Sequence, residues 1–464
     1  MSVRKGLTLL TGCFISMLVA CSDSAPPADD GPMIQASGDA TADATADPAP
    51  RRAHEFTLTV AATGDGTTFP APGTYRLPAG ARIPAFAFAL SGSSFLGWSG
   101  AATGTAPVTI AIDGDKALTA QFSWGRSAVS GLPNVPQRDV PRPHGPPRNL
   151  RVLDWAGFKG AVTYSLDDSQ PSQVEHFAEL DATGIPMTFY VNKDTAETDL
   201  AVWRQAFAHG HEIGNHTVDH CNAPTATQPL LSGCSFGPDQ PNPPPGATPE
   251  SELDDNTAWI KSEIGQRDVW TMATPFGDTN WLPFARPRFL LNRDVFQGFV
   301  GPNDGSDPAH LPCFMAGAVP FGGIDDQAST FNQLIDTART TDKWLIFLFH
   351  SILPTAEQWF GLVDISQIVA STAHIKALGD VWADTMISVG AYWRAQTVFT
   401  QVTPRTRGKI TTWSWELPDH FPPGKFLRVT VDGGTLLQHG RPLVWDHHGY
   451  YEVALDKGSL TLIP

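Results

Sequence analysis

Between about residues 150 and 400 the chain alternates short, uniformly apolar runs with stretches whose apolar residues recur at helical spacing. The runs GAVTYSL (160–166), MTFYV (187–191), DVWTMA (268–273) and KWLIFLF (343–349) have too little polar alternation for a sheet with one wet face. A strand apolar on both sides needs cover on both sides, and helices supply it in parallel βα units. The intervening patterns fit: Val174, Phe177 and Leu180 are helically spaced, with Ser172 and Glu175 as an expected capping-box pair and Gly184 as a stop. Thr248 and Pro249 open a further helix carrying Leu253, Ile260 and Ile264. The pattern predicts an α/β fold over residues 150–400.

Each of these runs ends in acid–base or metal-binding side chains. GAVTYSL leads into Asp167 and Asp168, HEIGN (211–215) into His216, DVWTMA into Pro275, Phe276, Gly277 and Asp278, and WLIFLF into His350. Strand ends that share one rim are where barrel enzymes keep their active sites. His216 and His220 stand four residues apart, a spacing that brings two imidazoles to one face of a helical turn and suits chelation. Adjacent carboxylates after a buried strand cost several kcal/mol unless a cation or hydrogen bonds compensate them. Asp168 with the two histidines makes three ligands and leaves a fourth position open, the arrangement of a catalytic metal. Zinc is the default for these ligands, with cobalt, nickel and manganese as alternatives.

The rest of the 464 residues reads as export signal, joints and small modules. Arg4 and Lys5 precede an apolar stretch from Leu7 to Ala20, which predicts a signal peptide over 1–20. Leu18-Val19-Ala20-Cys21 resembles a lipobox, which implies cleavage before Cys21 and lipidation of its thiol. Ser22 after it resembles the pattern of lipoproteins sent to the outer membrane, so the expected location is exported and lipid-anchored, at the cell surface or periplasmic face. No run of about 18 apolar residues adds a spanning helix. Residues 21–53 are rich in Ala, Asp, Pro and Thr and are expected to be a disordered tether. Residues 54–124 alternate in short runs as a small β module; Gly97-Trp98-Ser99-Gly100 and the stretch from Ile110 to Phe122 resemble the divergent internalin B-repeat. Residues 125–149 form a Pro-rich linker and 401–464 a C-terminal β module. With 31 Lys+Arg against 47 Asp+Glu, the net charge of −16 argues against a nucleic-acid partner. In an exported chain disulfides persist, so Cys221 and Cys234, across a Pro-rich loop, are the candidate pair and Cys313 stays free.

The middle region resembles the polysaccharide deacetylase family, the NodB-homology or family 4 carbohydrate esterases. Ser165-Leu166-Asp167-Asp168-Ser169 is similar to its first motif, His216-Thr217-Val218-Asp219-His220 to its second, and Leu345 to His350 to the strand ending in its catalytic histidine. The resemblance implies a distorted (β/α) barrel of the NodB type flanked by all-β modules. It implies Asp168, His216 and His220 as metal ligands, Asp167 as general base and His350 as general acid. Pro275 and Phe276 fall at the third motif, with the Phe276 N–H as oxyanion donor. That motif's Arg, which orients the base, is Ala273 here, and the support for His350 has only Asp304 and Asp307 as candidates. The implied reaction is hydrolysis of acetyl groups from an acetylated polysaccharide, as amide or as ester. The alternative is a surface glycan-binding or adhesion lipoprotein with a dead barrel, favoured by the missing Arg and the two β modules.

Several further features carry blander expectations. Gly233-Cys234-Ser235-Phe236-Gly237 fits G-x-S-x-G, but that motif needs a strand before it and a helix after it, and here it sits in Pro-rich loop. Trp413, Trp415 and Trp445 are expected in a β core rather than on a sugar-stacking face. His447 and His448 are expected to be solvated, and Asp219 to face outward or support a ligand.

Overall fold

The computed structural model describes residues 54–89, 93–123 and 125–464. The signal peptide, Cys21 and the tether lie outside the described residues. Among the described residues no helix is long and apolar enough to cross a membrane.

The central region is a curled parallel sheet. Its strands are β1 (Ala161–Asp167), β2 (Thr188–Val191), β3 (Glu212–Asn215), β4 (Thr271–Ala273), β5 (Leu291–Arg293), β6 (Phe314–Met315), β7 (Trp344–Phe349) and β8 (Trp382–Ala383). The order is β5-β4-β3-β2-β1-β7-β6, with β8 pairing the first two residues of β1. A parallel bridge from Arg293 to Leu311 draws the chain leading into β6 against β5, so the sheet curls toward a barrel. This is a half-barrel of the NodB type, as the resemblance implies. Alternation along β7 shows why both faces had to be apolar. Leu345, Phe347 and Phe349 pack under the covering helices, whereas Trp344, Ile346 and Leu348 join a second core on the other face.

That second core is shared. Helix Met386–Thr400 contributes Met386, Val389, Tyr392 and Trp393 to it, and the C-terminal β module contributes Leu427, Val429, Tyr450 and Val453. Residues Arg151–Val152 pair with Val429 and Thr430, so the chain entering the barrel is also the edge of a C-terminal sheet. Trp415 is in this core and Trp413 and Trp445 pack against it. The expected Ser172–Glu175 capping box does not form. The helix starting at Pro171 has no side-chain cap, because the Ser172 hydroxyl instead accepts from the Ile352 N–H, 3.0 Å.

The N-terminal module is two small sheets around Leu58, Val60, Trp98, Ile110, Leu118 and Phe122. The Pro-rich segment after it does not run loose. Ser127 donates to Glu452, the Val140 carbonyl accepts from the Trp445 indole, and Arg428, fully buried beside Glu452, donates to the carbonyls of Leu132 and Pro133.

At this junction Asp65 of the N-terminal module is buried and accepts from the Gly125 N–H and from Asn134. Arg138 stands 3.3 Å and His448 3.6 Å from its other oxygen. The expectation that His448 is solvated together with His447 does not hold. The two lie in a turn with their rings 4.0 Å apart, His447 on the outside and His448 buried beneath it with Nδ1 2.6 Å from Asp446. Burial alone would lower its pKa, but the hydrogen bonds to Asp446 and Asp65 raise it to about 9. A raised pKa means that the stability contributed by protonated His448 is complete below about 6.5 and is lost as pH rises through about 9. We therefore expect the urea midpoint to fall between pH 6.5 and 9 in the native chain and to change less in His448→Gln. Equal pH slopes in the two would remove His448 from the account.

Candidate metal centre and active site

Asp167 closes β1 and is buried. Asp168, the next residue, turns into left-handed backbone at φ 73°, a region Asp tolerates. Its Oδ2 accepts from Gln170 at 3.0 Å. Its Oδ1 has no hydrogen-bond partner and lies 3.3 Å from His216 Nε2 and 3.6 Å from His220 Nε2. Burial would raise the Asp168 pKa; His216, His220 and His350 around it hold the carboxyl below its ordinary value.

The two histidines do not meet through a helical turn, as their spacing suggests. Residues 216–220 form a loop in which Thr217 and His220 take left-handed backbone, φ 68° and 52°. Backbone N–H groups of Val218 and Asp219 donate to Glu252, the His220 N–H donates to Thr217 Oγ1, and Asn192 donates to the Thr217 carbonyl. Such local polar anchors outweigh helix formation in so short a segment. The rings nonetheless converge, 4.8 Å between centroids. Asp219, between them, is buried and faces Glu252 and Asp194; burial and these carboxylates raise its pKa.

The donor set fits a divalent cation. His216 Nδ1 is 2.8 Å from the Ala273 carbonyl and His220 Nδ1 is 3.2 Å from Ser235 Oγ. With Nδ1–H donating in each, both Nε2 lone pairs point at the orphaned Asp168 oxygen, and a cation is what would satisfy all three. Burial lowers the His220 pKa to about 4, which keeps the ring neutral as a ligand must be. For His216 burial is outweighed by Asp167 and Asp168, which raise its pKa.

The guanidinium missing at Ala273 is supplied by a residue outside every motif singled out in the sequence. Arg293 is fully buried, and its terminal nitrogen donates to both oxygens of Asp167. In the parallel register of β4 and β5, Ala273 and Arg293 are partners. The charge has moved sideways by one strand. A signal exists in the sequence: Arg293 is the one cation in the largely apolar run FLLNRDV (289–295), and a cation inside a buried strand needs a carboxylate.

His350 follows β7, buried, with its ring edge-on to Phe360 at 5.0 Å. Burial lowers its pKa, and its Nδ1 has no hydrogen-bond partner. Asp304 and Asp307 do not support it: Asp304 accepts from Ser306 and Asp307 pairs with Arg286. Phe276 takes left-handed backbone at φ 56° and packs edge-on to His220 at 4.3 Å, whereas Pro275 is buried away from the cavity lining. Asp167, Asp168, His216, His220 and His350 line one cavity of about 570 Å³. Its remaining walls are mostly aromatic or apolar, with Phe236, Phe276, Phe321, Trp359 and Phe360 foremost, and Gln170, Ser235 and Thr274 add neutral polar groups. Cys221 and Cys234 form a disulfide beside it. Cys313 is free and buried, and burial pushes its thiol up to about 12, so it offers no nucleophile at neutral pH.

Residues 158–283, which carry the carboxylate pair and both histidines, match the family model for polysaccharide deacetylase. This segment is a polysaccharide deacetylase domain. Residues 56–125 match the model of the divergent InlB B-repeat domain, so a B-repeat module precedes the deacetylase domain in the chain. No curated protein matches the chain. Among solved structures, a Mycobacterium smegmatis protein described as a polysaccharide deacetylase is 18% identical, covering 58% of this chain and 99% of its own, with a TM-score of 0.37. A family 4 acetyl xylan esterase from Clostridium thermocellum, in complex with a cobalt ion, is 13% identical over 49% of this chain and 89% of its own, TM-score 0.32. A family 4 pseudoenzyme from Bacillus anthracis is 10% identical over 50% of this chain and 65% of its own, TM-score 0.31.

Proposed function

We propose that the deacetylase domain hydrolyses acetyl groups on a polysaccharide, using a divalent metal, by default zinc, held by Asp168, His216 and His220. The observation that carries this reading is the pairing of an orphaned buried carboxylate oxygen with two outward-anchored imidazoles, beside a second carboxylate already paired with Arg293. A divalent cation in such a site polarises a carbonyl and acidifies water. Asp167 is aimed by Arg293 and takes the proton from the attacking water. His350, on the same cavity, returns a proton to the departing amine or hydroxyl. The aromatic walls offer stacking to a neutral sugar ring, and no Lys or Arg lines the cavity to attract an anionic one. The contact of Arg293 with Asp167 weighs against the reading of a catalytically dead glycan binder, which the Ala273 position and the two β modules favour.

The same reading has the protein exported and anchored by lipid at Cys21, in the outer membrane. The lipobox-like Leu18-Val19-Ala20-Cys21 supports it, and so does the disulfide, which persists in oxidising compartments. Acetate release by the full chain in detergent, with added zinc, from acetylated chitooligosaccharides and acetylated xylan tests the activity. Release from either, abolished by chelator and by Asp167→Asn, is expected, and the preferred polymer decides amide against ester. Zinc-loaded protein that retains the glycans but releases no acetate would establish the binding role instead.

A further inference from the structure

The two candidate metal-binding imidazoles are oriented by very different means. His216 is fixed through Nδ1 to the Ala273 carbonyl, part of the central sheet. His220 belongs to no strand or helix, and its Nδ1 faces a side chain fifteen residues away, Ser235 Oγ, in the Pro-rich loop. An acceptor on an irregular loop orients a ligand only if the loop itself is held.

It is held at both flanks. The residue after His220 is Cys221 and the residue before Ser235 is Cys234, and the two are bonded. The Ser235 N–H donates to the His220 carbonyl and the Phe236 N–H to the Asp219 carbonyl. Asn222 and Ser232 exchange backbone hydrogen bonds just beyond the disulfide. Both glycines of the G-x-S-x-G stretch serve this approach. A Cβ on Gly233, at φ 58°, would meet the Asn222 side-chain amide at 2.8 Å, and one on Gly237, at φ 91°, would meet Asp219 at 2.4 Å. The stretch that imitates a serine nucleophile is therefore a close-packed return onto the His220 loop.

We propose that the Cys221–Cys234 disulfide positions Ser235 as the hydrogen-bond acceptor that orients His220 toward the metal. Ser235 is on this account a positioning residue, not a nucleophile. The inference rests on the reading of Asp168, His216 and His220 as a metal centre. Outer hydrogen-bond partners of metal ligands are typically worth about 10–100-fold in metal affinity.

The test is zinc affinity of the full chain, measured by competition with a chromophoric chelator, with the cobalt absorption spectrum as a second readout of ligand geometry. Ser235→Ala is expected to bind zinc about 10–100-fold more weakly, and Ser235→Thr, which keeps a hydroxyl, to bind close to the native value. Replacing both Cys221 and Cys234 by Ala should cost a similar factor. Adding Ser235→Ala to that pair should cost little more, because both changes remove one interaction. Native affinity in Ser235→Ala, native affinity in the cysteine variant, or losses that multiply would each overturn the proposal. If the native chain itself binds neither zinc nor cobalt, the metal reading falls first, a result distinct from native-like affinity in the variants.

Discussion

Arg293→Ala is expected to lower acetate release by about 10²–10³-fold while zinc affinity stays near the native value, because small misplacements of a reacting group cost factors of this size. The guanidinium touches both oxygens of Asp167 and no metal-ligand atom of His216, His220 or Asp168, so its loss should separate base positioning from metal binding. Removing it also leaves a buried carboxylate unpaired, a change that costs about 3–5 kcal/mol in other proteins. A lowered melting temperature is therefore part of the expectation, and the assay belongs well below it. The decisive arm is a second substitution. Ala273 is the register partner of Arg293 on the adjacent parallel strand, and register partners in a parallel sheet present their side chains to the same face about 4.8 Å apart. Adding Ala273→Arg to Arg293→Ala should return the guanidinium to Asp167 and recover at least about tenfold of the lost rate. Failure of the double variant to improve on the single one, with both folded, would mean that β5 contributes something beyond the charge.

His216→Ala is expected to abolish zinc binding at micromolar metal and to reduce acetate release by about 10³-fold or more, since the Lewis-acid contribution is worth several kcal/mol and about 4 kcal/mol is about 10³-fold. His216 is the more telling of the two histidines to remove. It stands 3.3 Å from Asp168 and 3.6 Å from Asp167, so both carboxylates lose a neighbour at once. The melting temperature of the native chain should rise with added zinc, whereas that of His216→Ala should not respond, because binding to the folded state alone stabilises it. Retained zinc binding in His216→Ala would remove this residue from the centre and leave Asp168 and His220 in need of another partner.

Much of the site is legible in the sequence because its chemistry is written at the ends of strands. Asp167 ends β1 and Asp168 follows it, His216 follows β3 and His350 follows β7. An apolar run that stops at a polar cluster is visible within a window of about ten residues, and parallel strands that begin together end together. What windows cannot show is which strand lies beside which. Asp167 and Arg293 are 126 residues apart and meet because the curled sheet brings the interior side chains of β1 and β5 together. The loop from His216 to His220 departs from the expected helical turn for the same kind of reason: Glu252, Asn192 and Ser235, which shape it, come from elsewhere in the chain.

The modules divide in the same way. Apolar alternation and turn residues are enough to mark residues 54–124 and 401–464 as β and the middle as α/β. Packing decided that Arg428, buried in the C-terminal module, would also serve the Pro-rich segment, and that Asp65 and His448, from opposite ends of the described chain, would share one buried ion pair. By itself the sequence determined the strand runs, the β and α/β regions and the grouping of Asp167, Asp168, His216, His220 and His350, because local periodicity and side-chain chemistry suffice for each. Only the tertiary structure decided that Arg293 takes the place left by Ala273 and that Ser235 reaches His220, because strand register and loop path are set by contacts between residues far apart in the chain.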